Sequence, residues 1–214
     1  MNKRPLIAGI GIALAATFTA TGTVTPVAAS DPSEFTIADI LLADDAGKDP
    51  TDPNLFDRNW GDYDIVTEAV LLFPDLVAAA SNPAADLTVL APNDRAFRLL
   101  ATQLTKKSYR NEGDVFAAVA SLGVDTVKAV LTYHIVGQGL SPTAVLSSDN
   151  AAVPTLNGGT FTVDVISKRA AFVQFVDGDP NARNAFLNKI SVGGGELANG
   201  YIHGVDRVLR PIDL

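Results

Sequence analysis

In this chain the prevailing spacing of apolar residues changes near Ile135, and that change decides the fold class. Before it, apolar side chains recur at intervals of three and four, the period of one helix face. Ile65, Ala69 and Leu72 follow this spacing, and so do Phe97, Leu100 and Leu104. Phe116–Leu122 and Thr126–Tyr133 read as two further helical segments, broken at Gly123. From Ile135 on, strand signals dominate. Phe161–Ile166, Ala171–Asp177 and Ala185–Val192 are candidate strands, and Leu156-Asn-Gly-Gly-Thr160 is a hairpin turn between strand-like runs. Leu87–Ala91 is a short β-rich run inside the helical half. Helices first and strands later predict an α+β domain, not alternating βαβ units.

Local signals sharpen the boundaries. Phe35–Leu42 reads as a short helix anchored by its apolar residues, followed over 43–63 by a polar, Asp-, Gly- and Pro-rich surface loop. Asp64 is expected to cap a helix running to Leu72, and Pro74 to open another that ends at Ala80. Asn93 can cap the next helix by accepting a backbone N–H, with Asp94 in its first turn, where the helix dipole favours a negative charge. Gly193–Gly195 gives a turn into the last strand; without a following Lys-Ser/Thr or a helix it is no phosphate loop.

The first 29 residues read as an export leader: Lys3 and Arg4, an apolar run from Leu6 to Ala16, and Val27-Ala28-Ala29 as the cleavage site. That run is shorter than the roughly 20 apolar residues a membrane span needs. The expected product starts near Ser30, is secreted, is not inserted in a membrane and is a monomer. It divides into an N-terminal extension, 30–63, packed on a domain at 64–212. About 185 residues suffice to bury roughly 70% of the unfolded chain's surface. No cysteine is present, so the core holds the fold without disulfides. The formal net charge is −8, which repels phosphate backbones and makes nucleic acid an unsuitable partner.

The search for catalytic signatures returns absences. There is no cysteine nucleophile, no Gly-x-Ser-x-Gly elbow and no His-Glu-x-x-His, and the two histidines lie 69 positions apart. His134 continues the face made by Val127, Val130 and Leu131, which reads as a core or boundary residue satisfied by a carbonyl or by the helix C-terminus. His203 reads as a strand residue with structural hydrogen bonds. Asp177-Gly-Asp-Pro-Asn181 begins like a calcium loop, with side-chain oxygens at positions 1, 3 and 5. Ala182 and Asn188 stand where an EF-hand needs Gly and Glu, so the segment reads as a polar connection, weak calcium binding being the alternative. Phe56-Asp-Arg-Asn-Trp-Gly-Asp-Tyr63 has two readings. Trp60 and Tyr63 could stack on a sugar while Asp57 and Asp62 hydrogen-bond it, or Phe56 and Trp60 could anchor the extension to the core.

Three blocks carry a resemblance: Thr88-Val-Leu-Ala-Pro-Asn-Asp-Arg-Ala-Phe97, Leu131-Thr-Tyr-His-Ile-Val136 and Asn199-Gly-Tyr-Ile-His-Gly-Val-Asp-Arg-Val-Leu-Arg-Pro211. In that order they resemble the first signature, the Tyr-His segment and the second signature of the fasciclin (FAS1) family. Leu90 stands where the first signature usually has Phe, and Asn93 where it has Thr. The second signature reads Asn-Gly, any, apolar, His, any, apolar, Asp, any, Val-Leu, any, Pro. The chain thus resembles a secreted, single-domain bacterial member. The resemblance implies a β-wedge of mostly antiparallel strands with a flanking helical layer. It also implies a non-enzymatic adhesion module, without cofactor or metal, whose partner is extracellular matrix, a cell-surface protein or a polysaccharide. In animal members the Tyr-His segment is treated as an integrin contact, which makes Tyr133 and His134 candidate partner-binding residues beside Trp60 and Tyr63. The acidic integrin motif of one animal member has no counterpart at Val192–Gly195. The alternative is a secreted hydrolase with a nonstandard carboxylate site.

Overall fold

A computed structural model describes residues 31–44, 56–57 and 59–213. The leader and most of the 43–63 loop lie outside the described residues. The helices are α1 (Ile37–Asp44), α2 (Asp64–Leu71), α3 (Pro74–Ala80), α4 (Asp94–Thr105), α5 (Glu112–Ala120), α6 (Val124–Tyr133) and α7 (Pro142–Ser147). The strands are β1 (Leu87–Pro92), β2 (Ile135–Val136), β3 (Ala152–Pro154), β4 (Thr160–Ser167), β5 (Phe172–Val176), β6 (Ala185–Lys189) and β7 (Gly200–Val205).

Local chemistry explains most boundaries. Pro74 opens α3 and needs no hydrogen-bond partner for its nitrogen there. The Asn93 side chain accepts from the Ala96 N–H at 3.0 Å, so α4 is capped as expected. Gly123, at a φ of 90°, separates α5 from α6. Two expectations need correction. Asp64 does not cap α2: Tyr63 holds the N-cap position without a side-chain capping bond, and the Ile65 N–H is met by Asp94 Oδ1 at 2.9 Å, from another helix. The stretch after Ile135 also contains α7, capped by Ser141, whose oxygen accepts from the Ala144 N–H at 3.1 Å. Ser141 followed by Pro142 is a cap-and-start pair that was visible in the sequence.

All seven strands join one sheet in the order β2-β1-β7-β6-β5-β4-β3. Among the described residues only β1 and β7 pair in parallel, from Leu87 opposite Gly200 to Pro92 opposite Val205, and the other strand pairs are antiparallel. Register shifts interrupt β4–β5 between Val165 and Ser167, and β6–β7 between Leu187 and Lys189. Such irregularities bend a strand and raise its twist, as a sheet folding into a wedge requires.

Two cores lie on opposite faces of the β1–β7 seam. Leu87, Val89, Ala91 and Ile202 face the helical layer, where they meet Ile65, Phe73, Phe97 and Leu100. Leu90 and Val205 face the wedge interior with Phe161, Val163, Val173 and Phe175. The Phe161 and Phe175 rings meet edge to face at 5.6 Å, and Tyr133 meets Phe161 the same way at 6.4 Å. Because β1 is buried on both faces, its sequence is apolar throughout except for Thr88, whose hydroxyl donates to the Gln138 carbonyl and accepts from the Leu140 N–H. Burying each large apolar side chain contributes about 1.5–3 kcal/mol.

The start of the second signature fastens this frame. Asn199 Oδ1 accepts from the Ile37 N–H at 2.8 Å, and its Nδ2 donates to the Ala80 carbonyl at 2.7 Å. One buried amide therefore ties α1 and α3 to the entry of β7. Gly200 follows at a φ of 124°, and a Cβ there would strike the Leu87 carbonyl, so Asn-Gly is a packing requirement.

Candidate functional site

The Tyr-His segment ends α6 and points inward. Tyr133 is 1% exposed; its hydroxyl donates to the Thr160 carbonyl at 2.7 Å, and burial pushes it up to about 12. His134 is 3% exposed. Its Nδ1 lies 2.7 Å from the Val130 carbonyl, and its Nε2 accepts from the Leu209 N–H at 2.9 Å. A carbonyl only accepts and an amide only donates, so the proton sits on Nδ1. Burial holds this imidazole down to about 4, neutral at ordinary pH. The expected partner contact through Tyr133 and His134 is therefore corrected. Neither side chain reaches the surface, because the ring stack and the α6–Leu209 bond consume them.

His203, 0% exposed, is held the same way with the other tautomer: Nε2 donates to the Leu140 carbonyl at 2.8 Å, and Nδ1 accepts from the Ser191 N–H at 3.2 Å. Burial lowers its pKa too. All four imidazole nitrogens are thus engaged by main chain, and each histidine bonds two separate segments together.

The aromatic-acidic segment before α2 packs onto α4. The Trp60 carbonyl accepts from the Arg95 N–H, and the Asp62 carbonyl from the Asp94 N–H, both at 3.0 Å. Trp60 is half-buried with the Arg98 guanidinium 4.2 Å over its ring, so a cation covers the face a sugar would stack on. Tyr63 is buried, and its hydroxyl fills the space that a Cβ on Gly204 would occupy. Phe56 packs on Phe116 at 5.7 Å. The anchoring reading of Phe56 and Trp60 is the one this geometry supports.

Carboxylates gather beneath this segment. Asp62, Asp94 and Glu112 bring one oxygen each within 4.8 Å of one another, and so do Asp57, Asp62 and Asp64; by donor type either set can hold a metal ion. The fit of a cation is weakest at Asp94. Burial, then the nearby Asp62, raises its carboxyl well above the usual range, and a neutral acid can donate to Asp62 without a metal. Sequence reading missed this grouping because Asp94 and Glu112 come from helices 30 and 48 positions beyond Asp64.

The loop after β5 is fully used for structure. Asp177 accepts from the Asp179 N–H at 3.1 Å and the Arg210 N–H at 2.8 Å. Asp179 caps the Asn181 and Ala182 N–H groups at 2.8 and 3.1 Å, and its other oxygen pairs with Arg210 Nη1 at 3.1 Å. Gln103 takes a second Arg210 nitrogen. Oxygens that a calcium ion would need are held by amides and a guanidinium, which supports the polar-connection reading.

Among the described residues, two clefts open at the surface. One, of about 270 Å³, runs between α1, α2 and α3 and is apolar, lined by Leu41, Leu42, Val70, Leu71 and Val77 among others. The other, of about 210 Å³, lies between α4 and the segment after β7. No carboxylate lines either one.

The chain is thus a mixed α+β wedge with both histidines buried and clefts at its surface. The family model of the Fasciclin domain matches residues 66–211, and the chain belongs to the fasciclin (FAS1) family. No curated protein matches it. Among solved structures it is similar to a FAS1 domain pair from the insect cell adhesion molecule fasciclin I, at 15% identity and a TM-score of 0.54. The match covers 82% of this chain and 50% of that one, so the chain spans half the length of the domain pair. That likeness shows the shared fold.

Proposed function

We propose that this protein is a secreted fasciclin module that binds an extracellular or cell-surface protein or polysaccharide through a preformed face, without bond chemistry. The observation that carries this reading is the commitment of both histidines to main-chain bonds on two sides. That leaves the rigid outer surface, not an interior pocket, to do the work. FAS1 modules are typically adhesion-related and often occur in extracellular or surface proteins, which supports the same reading. Among the described residues no single helix is long and apolar enough to cross a membrane. The hydrolase alternative has the Asp62–Asp94–Glu112 group in its favour, but those carboxylates are buried and line neither described cleft. Retention of the purified protein on extracellular-matrix and cell-wall fractions tests the reading, paired with a screen on ester, glycoside and peptide substrates. Specific retention without turnover is expected. Turnover that is lost in a folded Asp62→Asn variant would move the assignment to the enzyme.

A further inference from the structure

Three arginines converge on the second cleft of a chain whose formal net charge is −8. Arg183 comes from the β5–β6 loop, and Arg207 and Arg210 from the segment after β7; Leu99 is half-buried at the cleft, Leu100 and Val208 belong to the core beneath it, and Gln103 lies beside them. Arg210 is the fixed member, 7% exposed and held by Asp179 and Gln103, with its Nε enclosed and unbonded. Arg183 is exposed and Arg207 half-buried, and neither makes an ion pair or hydrogen bond among the described residues. The neighbouring acids are turned elsewhere. Asp206 accepts from the Phe186 N–H at 2.7 Å, Asp213 from the Asn181 side chain at 2.8 Å, and Asp177 from the Arg210 amide. Asp179 thus pairs with Arg210, Asp177 also interacts with that charge, and the Arg183 and Arg207 guanidinium groups are left without a carboxylate partner among the described residues.

Like charges gathered in a partly enclosed cleft repel one another, and an anion between them removes that repulsion. A guanidinium presents parallel N–H donors that match two oxygens of a carboxylate or phosphate. We propose that this cleft is an anion site that takes an oxyanion carried on a glycan, with the half-buried Leu99 at its edge. The oxyanion is a uronate carboxylate or a phosphodiester of an extracellular polysaccharide. Arg207 and Arg210 occupy the two open positions near the end of the second signature, so this chemistry belongs to the chain and not to the motif. The inference names a ligand class for the binding role above and rests on that reading.

Titration calorimetry of the purified full chain tests it with three probes: an oligogalacturonate, a glycerol-phosphate polymer and a neutral glucan. At least one anionic probe is expected to bind, more weakly as salt rises. The Arg183→Gln/Arg207→Gln double variant is expected to lose at least tenfold in affinity at an unchanged melting temperature. Arg183→Lys/Arg207→Lys, which keeps the charge but not the fork, is expected to lose less. Binding of the galacturonate alone assigns a carboxylate, and of the glycerol-phosphate polymer alone a phosphodiester. Binding of neither, equal binding of the neutral glucan, or a double variant that binds like the wild type overturns the site. If both proteins are retained equally on wall and matrix fractions, the adhesive reading survives and the anion cleft falls. If neither is retained, the adhesive reading itself falls.

Discussion

Replacing His134 with Gln should uncouple part of this protein's acid sensitivity from its fold. In the folded state His134 is neutral and held near a pKa of 4, against 6.5 in the unfolded chain. Its folded pKa is depressed, so the unfolded state takes up the proton first as pH falls. The stability linked to this group is fully present above about 6.5 and drains away toward 4. At pH 4.5 the unfolded chain carries this proton almost completely and the folded chain about a quarter of the time. At about 1.36 kcal/mol per pH unit, linkage then removes about 2.5 kcal/mol relative to pH 7.5. His203, whose pKa burial also lowers, adds to the loss in both proteins alike. In His134→Gln the amide oxygen can still accept from the Leu209 N–H, but the donor to the Val130 carbonyl and the ring packing are lost, at about 1–3 kcal/mol. The variant is therefore expected to melt below the wild type at pH 7.5 and to match it near pH 4.5. Chemical denaturation of both proteins across pH 4–8 reads the difference directly, and other titrating groups cancel from it. A gap that stays constant over that range would refute the neutral, buried imidazole.

Three further outcomes are expected. Asp94→Asn keeps an oxygen for the Ile65 N–H and a donor toward Asp62 while removing a carboxyl whose folded pKa is raised. Stability tied to that proton is present below the ordinary 3.8 and lost as pH rises, so the variant should out-melt the wild type at pH 9 and lose that lead near pH 4. Phe97→Ala and Val208→Ala, at 2% and 5% exposure, should lower stability by about 3–5 kcal/mol for Phe and less for Val. Unchanged melting temperatures would remove both residues from the core. Asn199→Ala leaves the buried Ile37 N–H and Ala80 carbonyl without their bonds and should destabilise by about 2–4 kcal/mol, seen as a lower denaturation midpoint with an unchanged slope.

Class and architecture were legible because they rest on short-range patterns. Asn93, Pro74 and Gly123 act on their immediate neighbours, and each sets a helix boundary where the sequence predicts one. The Asp64 cap failed for a long-range reason, since Asp94 reaches the same amide from a helix that begins thirty positions later. His134 was readable as a core residue from its spacing, but its second bond, to Leu209, was not, because nothing local links α6 to the segment after β7. Between the two readings of the segment with Trp60 and Tyr63, sequence alone does not decide, because Arg98 and Gly204, which meet those rings, lie outside it. The arginine cleft was hidden similarly: Arg183, Arg207 and Arg210 are unremarkable until the wedge brings the β5–β6 loop beside the end of β7.

The parallel pairing of β1 with β7 has a kinetic consequence. β1 and β7 form the seam between the two cores, yet about 110 residues separate them along the chain. Closing a loop of that length costs on the order of 4 kcal/mol in chain entropy before any seam contact is gained. Pairings within β3–β6 are local and can form early, while β1, apolar on both faces, waits for its partner. Folding should therefore be slow and late, gated by the arrival of Tyr201 and Ile202 beside Thr88 and Val89. Until then β1 is the segment most exposed to aggregation, and a chain cut before Gly200 would keep that exposure permanently.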